Sequence, residues 1–366
     1  MVKILFLIHD LGQGGAEKVL VNLVNNMDAT KFDISVTALF GGGVNEQFLK
    51  PHIHFRAVFP KNFRGNIHLM KLLSPKQLHK LCVREHYDIE VSYLEGPSAR
   101  VVSGCMDPGT KKICWIHAQQ QNKQPFLPFR GEAEAQACYR RFDEIVCVAD
   151  AVREDFLGIY NCGKECRVLY NTVESDAIIE KSKEPAPELL DDGKIRLVAV
   201  GSLKQFKGFE RLLRIMKRLE KVHLYILGRG PLEQQLKAYV RENGLEDRVT
   251  FLGYQTNPYK YVAKCDLFVC ASFAEGFSTA ATEALIVGTP VCTVEVSGMK
   301  EMLGDNEYGI ITENDENALY EVIKDLLDHP EKLAHYREKA RERGKWFSTE
   351  ETVKAVEAML QEVMSA

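Results

Sequence analysis

Short runs of Val, Ile, Leu and Phe, each followed by a polar or glycine-bearing turn and an amphipathic stretch, recur through the first half of the chain at 2–8, 34–40, 89–94, 113–116 and 145–148. Runs of this length fit strands covered on both faces, and their alternation with helical stretches predicts parallel sheet between helix layers. The segment 174–194 breaks the pattern with Ser-Lys-Glu-Pro-Ala-Pro and then Asp-Asp-Gly, and reads as a linker. The alternation restarts at 196–201, 222–227, 249–252, 267–270 and 290–294. Asn257-Pro258 reads as an N-cap and first helical residue, and Ser348-x-x-Glu351 as a capping box. The helix after Ser348 carries Val353, Val356, Leu360 and Val363 on one face and so needs a surface to pack on. The expected fold class is α/β, with one Rossmann-like domain over 1–173 and a second over 195–346. Open α/β sheets bind ligands at the carboxyl ends of their strands, so two such domains facing across a cleft would share one site.

At 366 residues the chain is long enough for two domains, each burying its own core. A formal net charge of -4 gives no overall electrostatic footprint for nucleic acid. Met1 to Ile8 reads as a first strand rather than a secretory signal, and no apolar run reaches the roughly 18 residues a membrane-spanning helix needs. Most of the ten cysteines fall inside apolar runs, and none forms a C-x-x-C pair, which suits reduced core residues of a cytoplasmic protein. Cys162 and Cys166 are the closest spaced but have no matching Cys/His pair, so no zinc site is read there.

Three strand-to-helix turns carry candidate chemistry. The first, His9 to Glu17, places Gly12, Gly14 and Gly15 before a helix whose apolar face is Val19, Leu20, Leu23, Val24 and Met27; bare backbone at a helix start suits an anionic ligand or serves the turn alone. The second, 200–209, brings Ser202, Lys204 and Lys207 to the turn, where lysine can neutralise a diphosphate leaving group or simply be solvated. The third, 274–285, is the most informative. Glu275 precedes a helix and Glu283 lies inside it, separated by Gly276, Phe277, Ser278, Thr279 and an alanine-rich stretch. Two carboxylates beside free helix-start N–H groups make a site for a polyhydroxylated phosphate ester.

Glu275 and Glu283 have the E-x7-E spacing of retaining glycosyltransferases, and the chain resembles a family 4 glycosyltransferase of the GT-B fold, bacterial cell-surface polysaccharide type, over nearly its whole length. Supporting matches are Gly14-Gly15-Ala16-Glu17, His117 after Trp115-Ile116, Asn171 after Leu169-Tyr170, Lys207-Gly208, Gly228-x-Gly230-Pro231 and Gly288-Thr289-Pro290-Val291. The resemblance implies a C-terminal helix, 347–366, packing back on the first domain. It implies that Glu275 holds donor-sugar hydroxyls and Glu283 the nucleotide ribose, while Gly15 and Lys207 face the diphosphate. Ser202, Lys204, Gly228, Gly276, Phe277, Ser278 and Thr279 would complete the donor site, with Gly14 and Asn171 toward the acceptor and His117 beside the transferred sugar. On its own, a lone histidine after a strand is more often structural than functional. Family members often carry an arginine where this chain has Ser202, and Lys204 is the candidate to replace it.

The resemblance further implies a metal-independent reaction without a cofactor, moving a sugar from a nucleotide-diphosphate donor, UDP before GDP, to a glycan or polyprenyl-linked glycan with retention at the anomeric carbon. The segment 61–84 holds six Lys/Arg and no Asp/Glu, interleaved with Phe63, Ile67, Leu69, Met70, Leu72, Leu73, Leu78 and Leu81. Such a stretch lies on an anionic membrane surface, giving a peripheral position at the inner face, or packs on its own domain with solvated lysines. Two alternative functions are a catalytically silent GT-B subunit of a transferase complex and a sugar-nucleotide epimerase.

Overall fold

The computed structural model describes residues 1–12, 15–119, 124–275 and 277–365. The chain divides into two compact units, one formed by Met1–Val173 with the segment from Thr349 onward, the other by Glu174–Ser348.

The first unit is built on a parallel sheet of seven strands: β1 Val2–Ile8, β2 Phe32–Phe40, β3 His54–Phe59, β4 Ile89–Ser92, β5 Lys111–Ile116, β6 Glu144–Cys147 and β7 Arg167–Val168. They lie in the order β3-β2-β1-β4-β5-β6-β7. The central strands are the apolar runs of the sequence. In β1 every residue from Ile4 to Ile8 is buried, with Ile4 level with Ile34 on one side and Ile89 on the other. The edge strands β3 and β7 went unread because an edge is covered on fewer sides: β3, His-Phe-Arg-Ala-Val-Phe, has no fully buried residue, and β7 is two residues long.

The helix Thr349–Ser365 belongs to this unit and buries Val353, Val356, Met359, Leu360 and Val363, each worth about 1.5–3 kcal/mol when withdrawn fully from water. Polar ties fix its register. Thr349 Oγ1 donates to Val173 O at 2.7 Å, the Asp28 N–H to Glu357 Oε1 at 2.7 Å, and Arg167 to Glu362 at 2.7 Å.

The second unit repeats the plan with six parallel strands: β8 Ile195–Val200, β9 Val222–Leu227, β10 Val249–Gly253, β11 Leu267–Cys270, β12 Val291–Val294 and β13 Ile310–Thr312. Their order is β10-β9-β8-β11-β12-β13, the same doubly wound arrangement, with Leu197 level with both Leu224 and Leu267. In each unit the chain starts at an inner strand, winds two strands to one side and then crosses back to lay down the rest on the other, four in the first unit and three in the second, the Rossmann-like pattern whose strand carboxyl ends carry ligand sites.

Two local expectations differ. The first half of 174–194 is a helix, Ser175–Ser182, because Ile178 finds a buried seat on this unit. Asn257 does not cap the following helix; its side chain donates to Lys181 O at 2.9 Å, and Pro258 occupies the cap position before Tyr259–Val262.

Candidate functional site

In the second unit three loops converge at the carboxyl ends of β8, β9 and β11. After β8 the chain runs through Gly201 and Ser202 to exposed Lys204, makes a single 3-10 turn over Gln205–Lys207, and reaches Gly208 with φ 69° before the helix Phe209–Arg218. A Cβ on Gly208 would lie 1.9 Å from the Ala271 carbonyl oxygen, so only glycine lets this turn press against the end of β11. The Phe273 N–H donates to Phe206 O at 2.7 Å, joining the same two loops. Gly228, after β9, lies directly against the Gly201 carbonyl.

This packing brings Lys207 and Glu275 together. Lys207 Nζ is 2.6 Å from Glu275 Oε1, and Ser272 Oγ donates to the same oxygen at 2.6 Å. Both partners are largely shielded, with side chains 21% and 10% exposed, so the pair is held by the fold rather than floating in water. Lys204 makes no ion pair among the described residues and stays exposed. Its N–H donates to Ser202 O at 2.7 Å.

The helix Thr279–Ile286 starts on Ser278, whose Oγ accepts from the Ala281 N–H at 3.4 Å. Its first-turn N–H groups open toward the segment carrying Glu275, where they favour an anion. Glu283 lies on the same helix, and Tyr259 Oη donates to its Oε1 at 3.2 Å. The ring of Phe277 packs edge-on against Phe347 at 5.9 Å. Gly276 lies outside the described residues. Ser272 and Tyr259, which orient the two glutamates, escaped the sequence reading. Ser272 is two residues past β11, a position that signals such a role in this fold.

In the first unit the candidate residues also stand at strand carboxyl ends. His117 follows β5; its N–H donates to Glu95 Oε2 at 3.0 Å and its ring lies 4.8 Å from that of Tyr93. The residue is half-buried, but Nε2 is shielded and has no hydrogen-bond partner among the described residues. Burial pushes the imidazole down to about 3, so it is neutral at physiological pH and able to exchange a hydrogen bond with a hydroxyl. Asn171, after β7, likewise has a buried Oδ1 without a partner. At the end of β1, His9 Nδ1 is 2.8 Å from Asp10 Oδ2, and burial raises the pKa of nearby Glu17. Gly15 opens the helix Gly15–Asn26 with nothing within 4 Å of where a Cβ would sit; Gly14 lies outside the described residues. Glu95 and Asp10 were given no role from sequence, and Glu17 entered only as the last residue of the Gly14-Gly15-Ala16-Glu17 match, although each lies just past a strand or in the first turn after one.

The basic stretch forms two helices, Asn66–Leu72 and Pro75–Cys82. In the first only Asn66 is buried, while Leu69 and Leu72 are 54% and 73% exposed, beside exposed Phe63. Its carbonyl end is nonetheless clamped. Buried Arg100 donates to Met70 O and Leu73 O at 2.7 Å each, and Arg130 donates to Lys71 O at 2.7 Å and Leu72 O at 3.0 Å. Glu134 ties both arginines, through the Arg100 side chain and the Arg130 N–H. Among the described residues no helix is long and apolar enough to cross a membrane.

Residues 13–177 match the family model Glycosyltransferase Family 4, and residues 180–343 match Glycosyl transferases group 1. A Campylobacter jejuni N-acetylgalactosamine-N,N'-diacetylbacillosaminyl-diphospho-undecaprenol 4-alpha-N-acetylgalactosaminyltransferase is 30% identical over 95% of this chain and 96% of its own. The Rhizobium meliloti lipopolysaccharide core biosynthesis glycosyltransferase LpsE is 24% identical over 82% of this chain and 81% of its own. Among solved structures, Anabaena HepE in complex with UDP superposes with a TM-score of 0.79 at 19% identity, covering 98% of this chain and all of that one. Matched in both halves, and along its length to one transferase, the chain belongs to the family 4 glycosyltransferases of the GT-B fold.

Proposed function

We propose that this glycosyltransferase moves a sugar from a UDP-sugar to a hydroxyl of a polyprenyl-diphosphate-linked glycan, with retention at the anomeric carbon and without a divalent ion. The observation that carries the reading is the Lys207–Glu275 pair beside the start of the helix Thr279–Ile286. A diphosphate seated there meets the Lys207 ammonium and first-turn N–H groups. These stabilise the charge that grows on the leaving oxygen as the anomeric C–O bond breaks. Glu275 accepts from sugar hydroxyls, and Glu283, oriented by Tyr259, accepts from the ribose. Lys204 stands in for the arginine absent at Ser202. The acceptor hydroxyl attacks the face the diphosphate leaves, and its proton passes to a diphosphate oxygen. His117, neutral and with a shielded Nε2, offers a hydrogen bond to the transferred sugar rather than a charge.

UDP is favoured because HepE was crystallised with UDP and with UDP-glucose, and a lipid-linked acceptor because the Campylobacter relative is named for one. A lipid-linked acceptor calls for a membrane-facing surface, and the clamped helix Asn66–Leu72, with exposed Leu69 and Leu72 among cations, suits the inner face of a bilayer. The test is calorimetric titration with UDP and with GDP, no metal added, repeated on Glu283→Ala. UDP binding that weakens at least tenfold in the variant, and turnover that Mg2+ or Mn2+ fails to raise, are expected. Binding of GDP alone, or of neither, overturns the donor assignment.

A further inference from the structure

We infer that His79, Glu90 and Cys105 form a three-ligand zinc site at the amino end of the first unit's sheet, holding the helix Pro75–Cys82 to the strands beneath it. The helix begins on a capping box, with Ser74 Oγ accepting from the Gln77 N–H at 3.3 Å and Gln77 Oε1 accepting from the Ser74 N–H at 2.8 Å. It then docks without clearance: a Cβ on Gly104 would lie 2.0 Å from Pro75 O, so the helix start rests on bare backbone just before Cys105. One turn further on, His79 Nε2 reaches the Glu90 carboxylate, 3.0 Å from Oε1 and 2.8 Å from Oε2. A ligand atom from each of His79, Glu90 and Cys105 lies within 4.8 Å of the other two. The three residues come from a helix, from β4 and from the loop after Pro97–Val102, so the tertiary fold, not one segment, assembles the set.

The chemistry suits zinc. Imidazole nitrogen, carboxylate oxygen and thiolate sulfur are its ligands, and the sulfur selects against Mg2+ and Ca2+. Charge balances as well. Glu90 and Cys105 are each 2% exposed, so an uncompensated charge would be costly there. Without metal, a protonated His79 neutralises Glu90. With metal, Zn2+ displaces one proton from the imidazolium and one from the thiol, both leaving to solvent. Bonds form to Nε2, a carboxylate oxygen and Sγ, water takes the fourth position, and the site is neutral again. Lys112, level with Glu90 on β5, does not compete, because its ammonium is 3.2 Å from Asp143. His117 is five residues beyond Lys112 along the same strand, about 16 Å at 3.3 Å per residue, so this ion takes no part in sugar transfer.

The test uses the full chain, purified without chelator, and reads metal rather than turnover. About one zinc per chain is expected by elemental analysis. Metal-depleted protein titrated with Co2+ should develop a near-ultraviolet thiolate-to-cobalt band that Cys105→Ser lacks while keeping its near-ultraviolet circular dichroism. Should Cys105→Ser fail to fold, zinc titration of the depleted wild type in buffers of different ionisation enthalpy decides instead, with about two protons released per ion expected. A cobalt band that survives in Cys105→Ser, or zinc uptake without proton release, overturns the assignment.

Discussion

Lys207 Nζ and Glu275 Oε1 stand 2.6 Å apart although 68 residues separate them in the chain, because Gly208 lets the turn after β8 press onto the end of β11. The two groups restrain each other: the contact fixes both side chains, and it keeps the ammonium beside the site proposed for the diphosphate. Lys207→Ala is expected to lower kcat by about 10²–10³, the scale for losing one preorganised group at developing charge. Glu275→Gln, which keeps the shape, should lower kcat while leaving UDP affinity within about twofold, since its proposed partner is the sugar. Lys204→Ala should weaken UDP binding about tenfold. Unchanged donor affinity and turnover in that variant would dismiss Lys204 as the substitute for arginine.

The close approach at Gly208 makes a separate prediction. Gly208→Ala puts a methyl group against Ala271 O at a residue with φ 69°, and positive-φ strain alone costs about 1–3 kcal/mol. The urea midpoint should fall, and UDP affinity should fall with it, because the turn that carries Lys207 must retreat. Loss of stability with UDP affinity intact would separate the turn from the donor site.

His117 makes a pH-dependent contribution whose sign follows from its burial. The unfolded imidazole titrates near 6.5 and the folded one near 3. Between those values the unfolded chain binds the extra proton, so this residue's contribution falls as pH falls through that window, by up to about 1.4 kcal/mol per pH unit. Unfolding free energies of wild type and His117→Gln, measured from pH 7 to pH 4.5, should converge as the pH drops. Parallel curves would mean that His117 titrates normally in the folded protein.

Much of this was legible because central strands of a doubly wound sheet are buried on both faces and mostly write themselves as apolar runs, as β1, β9 and β11 do, although β4 also buries Glu90 and Ser92. The edge strand β3 is half-covered and carries His54 and Arg56, so its sequence looks like loop. The helix Ser175–Ser182 hid inside a polar segment because one buried side chain, Ile178, and few others anchor its apolar side. Glu275, Glu283 and Lys207 could be singled out as candidates from their strand-to-helix turns and from the resemblance to the family's motif. Ser272, Tyr259 and Glu95 could not, since their roles depend on which loops the fold brings together.

The helix Asn66–Leu72 poses the sharpest question about the surface. A helix with one buried residue would ordinarily fray, yet four of the carbonyls at and just past its end are held by Arg100 and Arg130. Arginines anchored by Glu134 keep rigid a segment that shows Leu69 and Leu72 to solvent, with Lys71, Lys76 and Lys80 nearby. Rigidity of an exposed apolar face is useful only if something covers it, and the surrounding cations favour an anionic bilayer. Sedimentation with phosphatidylglycerol-containing vesicles should therefore show binding that weakens with salt, drops about fivefold for each of Lys71→Glu and Lys76→Glu, and is abolished in Leu69→Asp/Leu72→Asp. Because Leu69, Leu72 and Lys76 are exposed and Lys71 is only half-buried, the urea midpoint of each variant should stay near that of wild type. Equal binding to neutral and anionic vesicles, or none at low salt, would return the stretch to a solvated face of its own unit.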